Sequence, residues 1–124
     1  MRFFQAAEFT CRCGRPECDA LAAIVPELGE RLDMFRERVG QPVTVTSGLR
    51  CAWQNDQTPG AVPFSGHLNG TEVDVACGTS RLRYLMLAAV FSGPKPLFPR
   101  IGLYRKHLHL GLGPSLPGRV AWVP

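Results

Sequence analysis

The sequence predicts an α+β fold with a small, mostly antiparallel sheet and flanking helices. Three observations carry this. Two stretches repeat apolar residues at helical spacing, several short stretches are β-branched or alternate in character, and no internal repeat or low-complexity tract is present. Helical and strand stretches follow in the order helix, strand, loop, strand, helix, strand, strand, which suits a sheet with helices packed on it. The 124 residues allow one hydrophobic core, so a single domain over 1–124 is expected, with a Cys-rich segment at 1–18 packed on it.

Residues 1–16 read as irregular, with Cys-Arg-Cys-Gly-Arg-Pro suggesting a knuckle or tight turn and Pro16 standing where a helix could begin. Leu21, Ile24, Val25, Leu28, Leu32, Phe35 and Val39 follow the 3.6-residue period; Pro26 divides the stretch, so the helix is expected from about Pro26 to Val39. Gly40 should end it. Val43 to Thr46 reads as a strand, and residues 48–69 as a long loop of the kind that usually carries function. Thr71 to Ala76 alternates like a strand. Thr79-Ser80 offers a cap for a helix whose buried stripe is Leu82, Leu85, Met86, Ala89 and Val90. Arg100–Tyr104 and His107–Leu112 read as a hairpin turning near Arg105-Lys106, and Arg119–Val123 as a last edge strand.

The net charge of +4 comes from scattered basic residues. It favours contact with polyanions but supplies no nucleic-acid motif, and no nucleic-acid partner is expected. No apolar run approaches the roughly 20 residues that span a bilayer, so no membrane insertion is expected. Glu8 and Arg12 interrupt the N-terminus before any secretory apolar stretch could form, so synthesis in the cytoplasm is expected.

The chemistry concentrates on three histidines. His107 and His109 are two apart in a strand and so project to one side of the sheet. His67 lies in the long loop, seven residues before Asp74 in another strand. His67, Asp74 and His109 can meet as two nitrogens and one oxygen, the donor set of a catalytic zinc site with its fourth position open.

The run Ser65-Gly66-His67-Leu68-Asn69-Gly70-Thr71-Glu72-Val73-Asp74 resembles the Ser-x-His-x-x-Gly-x-x-x-Asp motif of the zinc D-alanyl-D-alanine carboxypeptidases, relatives of the lysostaphin-type endopeptidases and the hedgehog signalling domain. Three further segments are similar to that family in order and spacing: Val45-Thr46-Ser47-Gly48-Leu49-Arg50, Ile101-Gly102-Leu103-Tyr104 and His107-Leu108-His109. The likeness runs from about residue 26 to 113. It implies a hedgehog/DD-peptidase-like fold and Zn2+ held by His67, Asp74 and His109. It further implies a catalytic role for His107 in stabilising the tetrahedral species or moving the proton to the leaving amine, and for Arg50 in binding a substrate carboxylate or carbonyl oxygen. Ser65 would support His67 by hydrogen bonding. Tyr104 fits either the site or core packing, and Arg50 could instead form a surface ion pair. Trp53 and Phe64 could line a groove or anchor the loop, and Asn55 and Asp56 read as turn formers.

The sequence departs from the family at three places. Glu72 stands where a small residue is usual; it could put a second carboxylate beside the metal or point into solvent. Gly111 stands where many relatives carry Asp. Lys106 occupies the place of a glutamate or aspartate base, which leaves His107 as the better proton carrier.

Five cysteines remain. Cys11-x-Cys13-x4-Cys18 is half of a metal knuckle, and Cys51 could complete it as a second, structural zinc site; buried thiols or disulfides are the alternatives. Similar Cys-x-Cys-Gly stretches precede the domain in some phage-type relatives. Cys77 reads as a small buried residue. The expectation is a monomeric zinc metallopeptidase that cleaves an amide bond in peptidoglycan stem or cross-link peptides, released to the wall by a phage-type route. Alternatives are a non-catalytic zinc-containing binding module of the same fold and a small nucleic-acid-binding knuckle protein.

Overall fold

Pro26 and Gly40 bracket the first long helix. In the computed structural model, which describes residues 1–114, Leu116 and 118–124, this helix is α1, Pro26–Val39. Pro26 occupies a first-turn position, where its missing N–H costs nothing, and Gly40 adopts a left-handed φ of 78° as its N–H closes on the Arg36 carbonyl. Leu28, Leu32, Phe35 and Val39 form its buried stripe. No helix begins at Pro16: it sits in a turn, residues 18–25 lack helix, and of the apolar residues before Pro26 Ile24 is buried while Leu21 is exposed.

The sheet is built from β1 (Val45–Ser47), β2 (Glu72–Ala76), β3 (Arg100–Leu103), β4 (His107–Gly111) and β5 (Val120–Trp122) in the order β1-β2-β4-β3-β5. Every pairing is antiparallel except β3 with β5, so the expected edge strand returns parallel and the sheet is mixed. The loop expected over 48–69 contains two short helices, α2 (Ala52–Gln57) and α3 (Gly66–Asn69), too short to show a helical period in the sequence. The last long helix, α4 (Ser80–Phe91), starts where Thr79 accepts the Leu82 N–H at 3.1 Å. Among the described residues, no helix is long and apolar enough to cross a membrane.

Strand alternation sorts the chemistry from the core. Val73 and Val75 of β2, Leu108 and Leu110 of β4 and Ile101 of β3 join the cluster made with Leu32 and Phe35 of α1, Met86 and Val90 of α4, and Phe98. Phe35 and Phe98 meet edge to face at 5.7 Å. The intervening residues Glu72, Asp74, His107, His109 and Gly111 therefore share the opposite face. The β3–β4 turn is clamped by Arg83 of α4, whose guanidinium donates to the Tyr104 and Arg105 carbonyls at 2.7 and 3.1 Å.

The N-terminal segment covers the edge of β1. Arg12 donates to the Thr46 and Val45 carbonyls at 3.1 and 3.0 Å, satisfying backbone groups that an edge strand otherwise leaves open. The Leu49 N–H donates to the Phe9 carbonyl at 2.8 Å, and Gly48 is pressed so close that a Cβ there would lie 2.7 Å from the Phe9 Cα.

Candidate metal centre

His67 is carried by α3, a single turn entered through Ser65, whose hydroxyl accepts the His67 backbone N–H at 3.2 Å. Its imidazole is 1% exposed. Nδ1 lies 2.6 Å from the Gly48 carbonyl, which only accepts, so Nδ1 carries the proton and Nε2 offers a lone pair. That Nε2 is buried and, among the described residues, has no hydrogen-bond partner. It points at the Asp74 carboxylate, 3.5 Å away.

Asp74 and His109 are direct partners across β2 and β4. Asp74 Oδ1 lies 2.9 Å from His109 Nδ1, while the other ring nitrogen, Nε2, lies 2.9 Å from Glu72 Oε2. One ligand atom each from His67, Asp74 and His109 falls within 4.8 Å of the others, so the three could hold a metal ion. Each histidine already donates one ring N–H to a fixed acceptor, Gly48 or Glu72, and turns the other nitrogen to Asp74. With an ion bound in place of a proton, the same tethers would fix the tautomer of each ligating imidazole. An orphaned buried nitrogen aimed at a carboxylate also fits a bound divalent cation, since an unsatisfied buried polar atom is otherwise costly.

The electrostatics agree. Burial alone would lower the His109 imidazole, but hydrogen bonds and charge from Asp74 and Glu72 raise it to about 9. Burial would raise Glu72, but His109 and Arg100 hold it down at about 2. Asp74 is likewise held far below the usual carboxylate range, by hydrogen bonding and charge from His109 acting against its burial. The pocket thus favours positive charge at its centre.

Glu72 does not point into solvent. It is 2% exposed, lies opposite Gly111, and bridges His109 to Arg100, whose Nε donates at 2.8 Å; the Gly66 N–H donates to it at 3.2 Å. Any Cβ at Gly66 or Gly111 would collide with this carboxylate, so both positions require glycine for space. We expect Glu72→Gln to weaken zinc binding about 10–100-fold in a competition titration against a chelating dye. Whichever way the amide turns, its NH2 faces one of the donors Arg100, His109 or Gly66.

Arg50 follows β1 and lies at the rim of the triad. Its Nη2 is 3.4 Å from Asp74 Oδ2, its Nε donates to Ser47 at 3.3 Å and its Nη1 to Asn55 at 3.3 Å. It is neither exposed nor in a surface pair, and burial lowers its guanidinium while Asp74 and Tyr104 oppose. Asn55 is not a turn former: it sits in α2, is 4% exposed, and donates to the Val62 carbonyl at 2.9 Å while holding Arg50.

His107 stands on the solvent side, its Nε2 3.9 Å from Asp74 Oδ1, its ring stacked on Tyr104 at 4.4 Å and 7°. Burial lowers its imidazole, with Asp74 opposing, so the neutral form prevails at pH 7. Tyr104 belongs to the site: its hydroxyl accepts the Trp122 indole N–H at 3.0 Å. Trp122 of β5 packs 5.3 Å from His109 and 5.1 Å from the Arg100 guanidinium. These residues border a cavity of about 500 Å³. Nothing in the sequence singles out Arg100 or Trp122 as part of it. Trp53 turns instead to Arg15, 4.5 Å from its ring, and Phe64 is exposed beside a different cavity; neither borders this one.

The remaining cysteines divide as the spacing suggests. Cys77 is fully buried. Cys11, Cys13, Cys18 and Cys51 converge, with their Sγ atoms all within 4.8 Å of one another.

A search of the curated proteins found no match to this chain. The family model described as Peptidase M15 matches residues 2–111, which takes in the cysteine-bearing segment and every residue of the His67, Asp74 and His109 centre, and the chain belongs to that family.

Proposed function

We propose that this protein is a zinc metallopeptidase that hydrolyses an amide bond in peptidoglycan stem or cross-link peptides, of the D-Ala-D-Ala carboxypeptidase or endopeptidase type. The observation that carries it is the buried, unpartnered His67 Nε2 converging with Asp74 and His109 on one point. His67 Nε2, Asp74 and His109 Nδ1 would hold the ion, with His67 Nδ1–H and His109 Nε2–H tethered to Gly48 and Glu72. Bound there, zinc supplies a water of pKa about 7 and a Lewis acid for the scissile carbonyl.

The chain's own groups do the rest. Arg50, pinned by Ser47 and Asn55, presents fixed positive charge beside Asp74 and binds the carbonyl oxygen or terminal carboxylate of the substrate. Neutral His107 at the cavity mouth accepts a proton and returns it to the leaving amine. Tyr104 holds the His107 ring plane, and Trp122 shields one flank of His109 from water. Release to the wall by a phage-type route is consistent with this reading.

The test is cleavage of purified peptidoglycan and of synthetic stem peptides. New amine and carboxyl ends should appear, vanish on chelation and return with zinc. Zinc bound without any turnover would favour a binding module of the same fold.

A further inference from the structure

We infer that Cys11, Cys13, Cys18 and Cys51 form a second metal site, a tetrathiolate that takes a soft tetrahedral divalent ion, Zn2+, and clips the N-terminal segment to the loop bearing Arg50. Four sulfurs from two distant segments meet at mutual distances within 4.8 Å. Bonds of about 2.3 Å in a tetrahedron set sulfurs about 3.8 Å apart, so a small contraction closes the site. A thiolate-only donor set selects zinc over the hard cations magnesium and calcium.

The backbone is arranged around sulfur acceptors. The N–H groups of Cys51, Gln54 and Arg15 point at the Sγ atoms of Cys11, Cys51 and Cys13 at 3.4, 3.3 and 3.4 Å. Three of the four sulfurs thus accept a backbone hydrogen bond, which offsets the charge that thiolates bring and orients them. The site is also placed to matter. Cys51 follows Arg50 directly and caps α2, the helix whose Asn55 holds Arg50. Two residues before Cys51, the Leu49 N–H donates to Phe9, and beyond Cys11 the Arg12 side chain is bound along β1. An ion shared by Cys51 and the three N-terminal thiols ties those contacts into one unit.

The thiolate site is independent of the His67 site, and the experiment keeps them apart. Metal content is measured on the full chain, prepared under reducing conditions with zinc, for wild type, Cys13→Ser and His67→Ala. Two zinc per chain are expected in wild type and one in each variant. Cobalt loading should give intense thiolate-to-cobalt charge-transfer absorption in wild type and in His67→Ala, and none in Cys13→Ser. Stripping the ion from His67→Ala should speed amide hydrogen exchange in residues 9–13 and 49–55. The wild-type cobalt spectrum stands even if Cys13→Ser fails to fold. The inference is overturned if cobalt-loaded wild type lacks that absorption, if all four thiols react at once with a thiol reagent in zinc-loaded protein, or if a disulfide joins any two of them in that preparation. Loss of peptidase activity with this absorption intact would count against the His67 site alone.

Discussion

His67→Ala is expected to lose the zinc held with Asp74 and His109 and to drop turnover on peptidoglycan peptides by about 10³-fold or more, as the loss of both nucleophile activation and charge stabilisation requires. The side chain contributes the one buried side-chain polar atom that, among the described residues, has no hydrogen-bond partner. Without it the ion would keep one imidazole and one carboxylate, too few protein ligands for a zinc site. Because the ring is buried and its Nδ1–H anchors Gly48, alanine also leaves a cavity and an unpaired carbonyl. Asp74→Asn serves as the companion variant, since it keeps volume and removes the charge. Metal analysis and far-UV circular dichroism on both separate loss of the ion from loss of the fold. Wild-type turnover in folded, metal-depleted His67→Ala would sink the metallopeptidase reading.

Much of this site is legible in the amino-acid order, for a physical reason. His107-x-His109 and Asp74 lie on strands, and the period of two alone dictates which side chains share a face. His67 precedes Asp74 by one short helical turn and Gly70, so the chain cannot carry it far. The pairing of Asp74 with His109 then needs only that the two strands be neighbours. The opposite holds for Glu72. A glutamate at the start of a strand reads equally as a second carboxylate beside the metal or as a solvated side chain, and what decides for burial is a non-local fact: the register sets it against Gly111, whose missing side chain opens the path to Arg100. The glycine that stands where many relatives carry an acid is thus the space into which Glu72 places its carboxylate. Likewise Trp122 reaches His109 because β5 returns parallel beside β3, and nothing local in residues 119–123 announces that direction. Asn55 looks like a turn former because six residues of helix are too few to show a period. The family match, which ends at residue 111, stops short of Trp122.

The second large effect concerns the proton. His107→Ala should keep its full metal content and lose about 10²- to 10⁴-fold in kcat, the range for removing a positioned general acid–base group. Metal should stay because His107 Nε2 is 3.9 Å from Asp74 and both ligand histidines take their tethers from Gly48 and Glu72. Stability should change little, since the side chain is a third exposed and its stacking on Tyr104 contributes about 0.5–1.5 kcal/mol. That stacking leaves two explanations for any loss of rate: the imidazole carries the proton, or the ring merely shapes the cavity wall with Tyr104. His107→Phe distinguishes them, because it preserves the stacked ring and removes the titrating nitrogens. If phenylalanine is as impaired as alanine, with KM and metal content near wild type, the proton is the function. If phenylalanine restores the rate, the ring is a wall and the proton carrier must be sought elsewhere on the cavity rim, where the Tyr104 hydroxyl, already bonded to Trp122, is the next group to test.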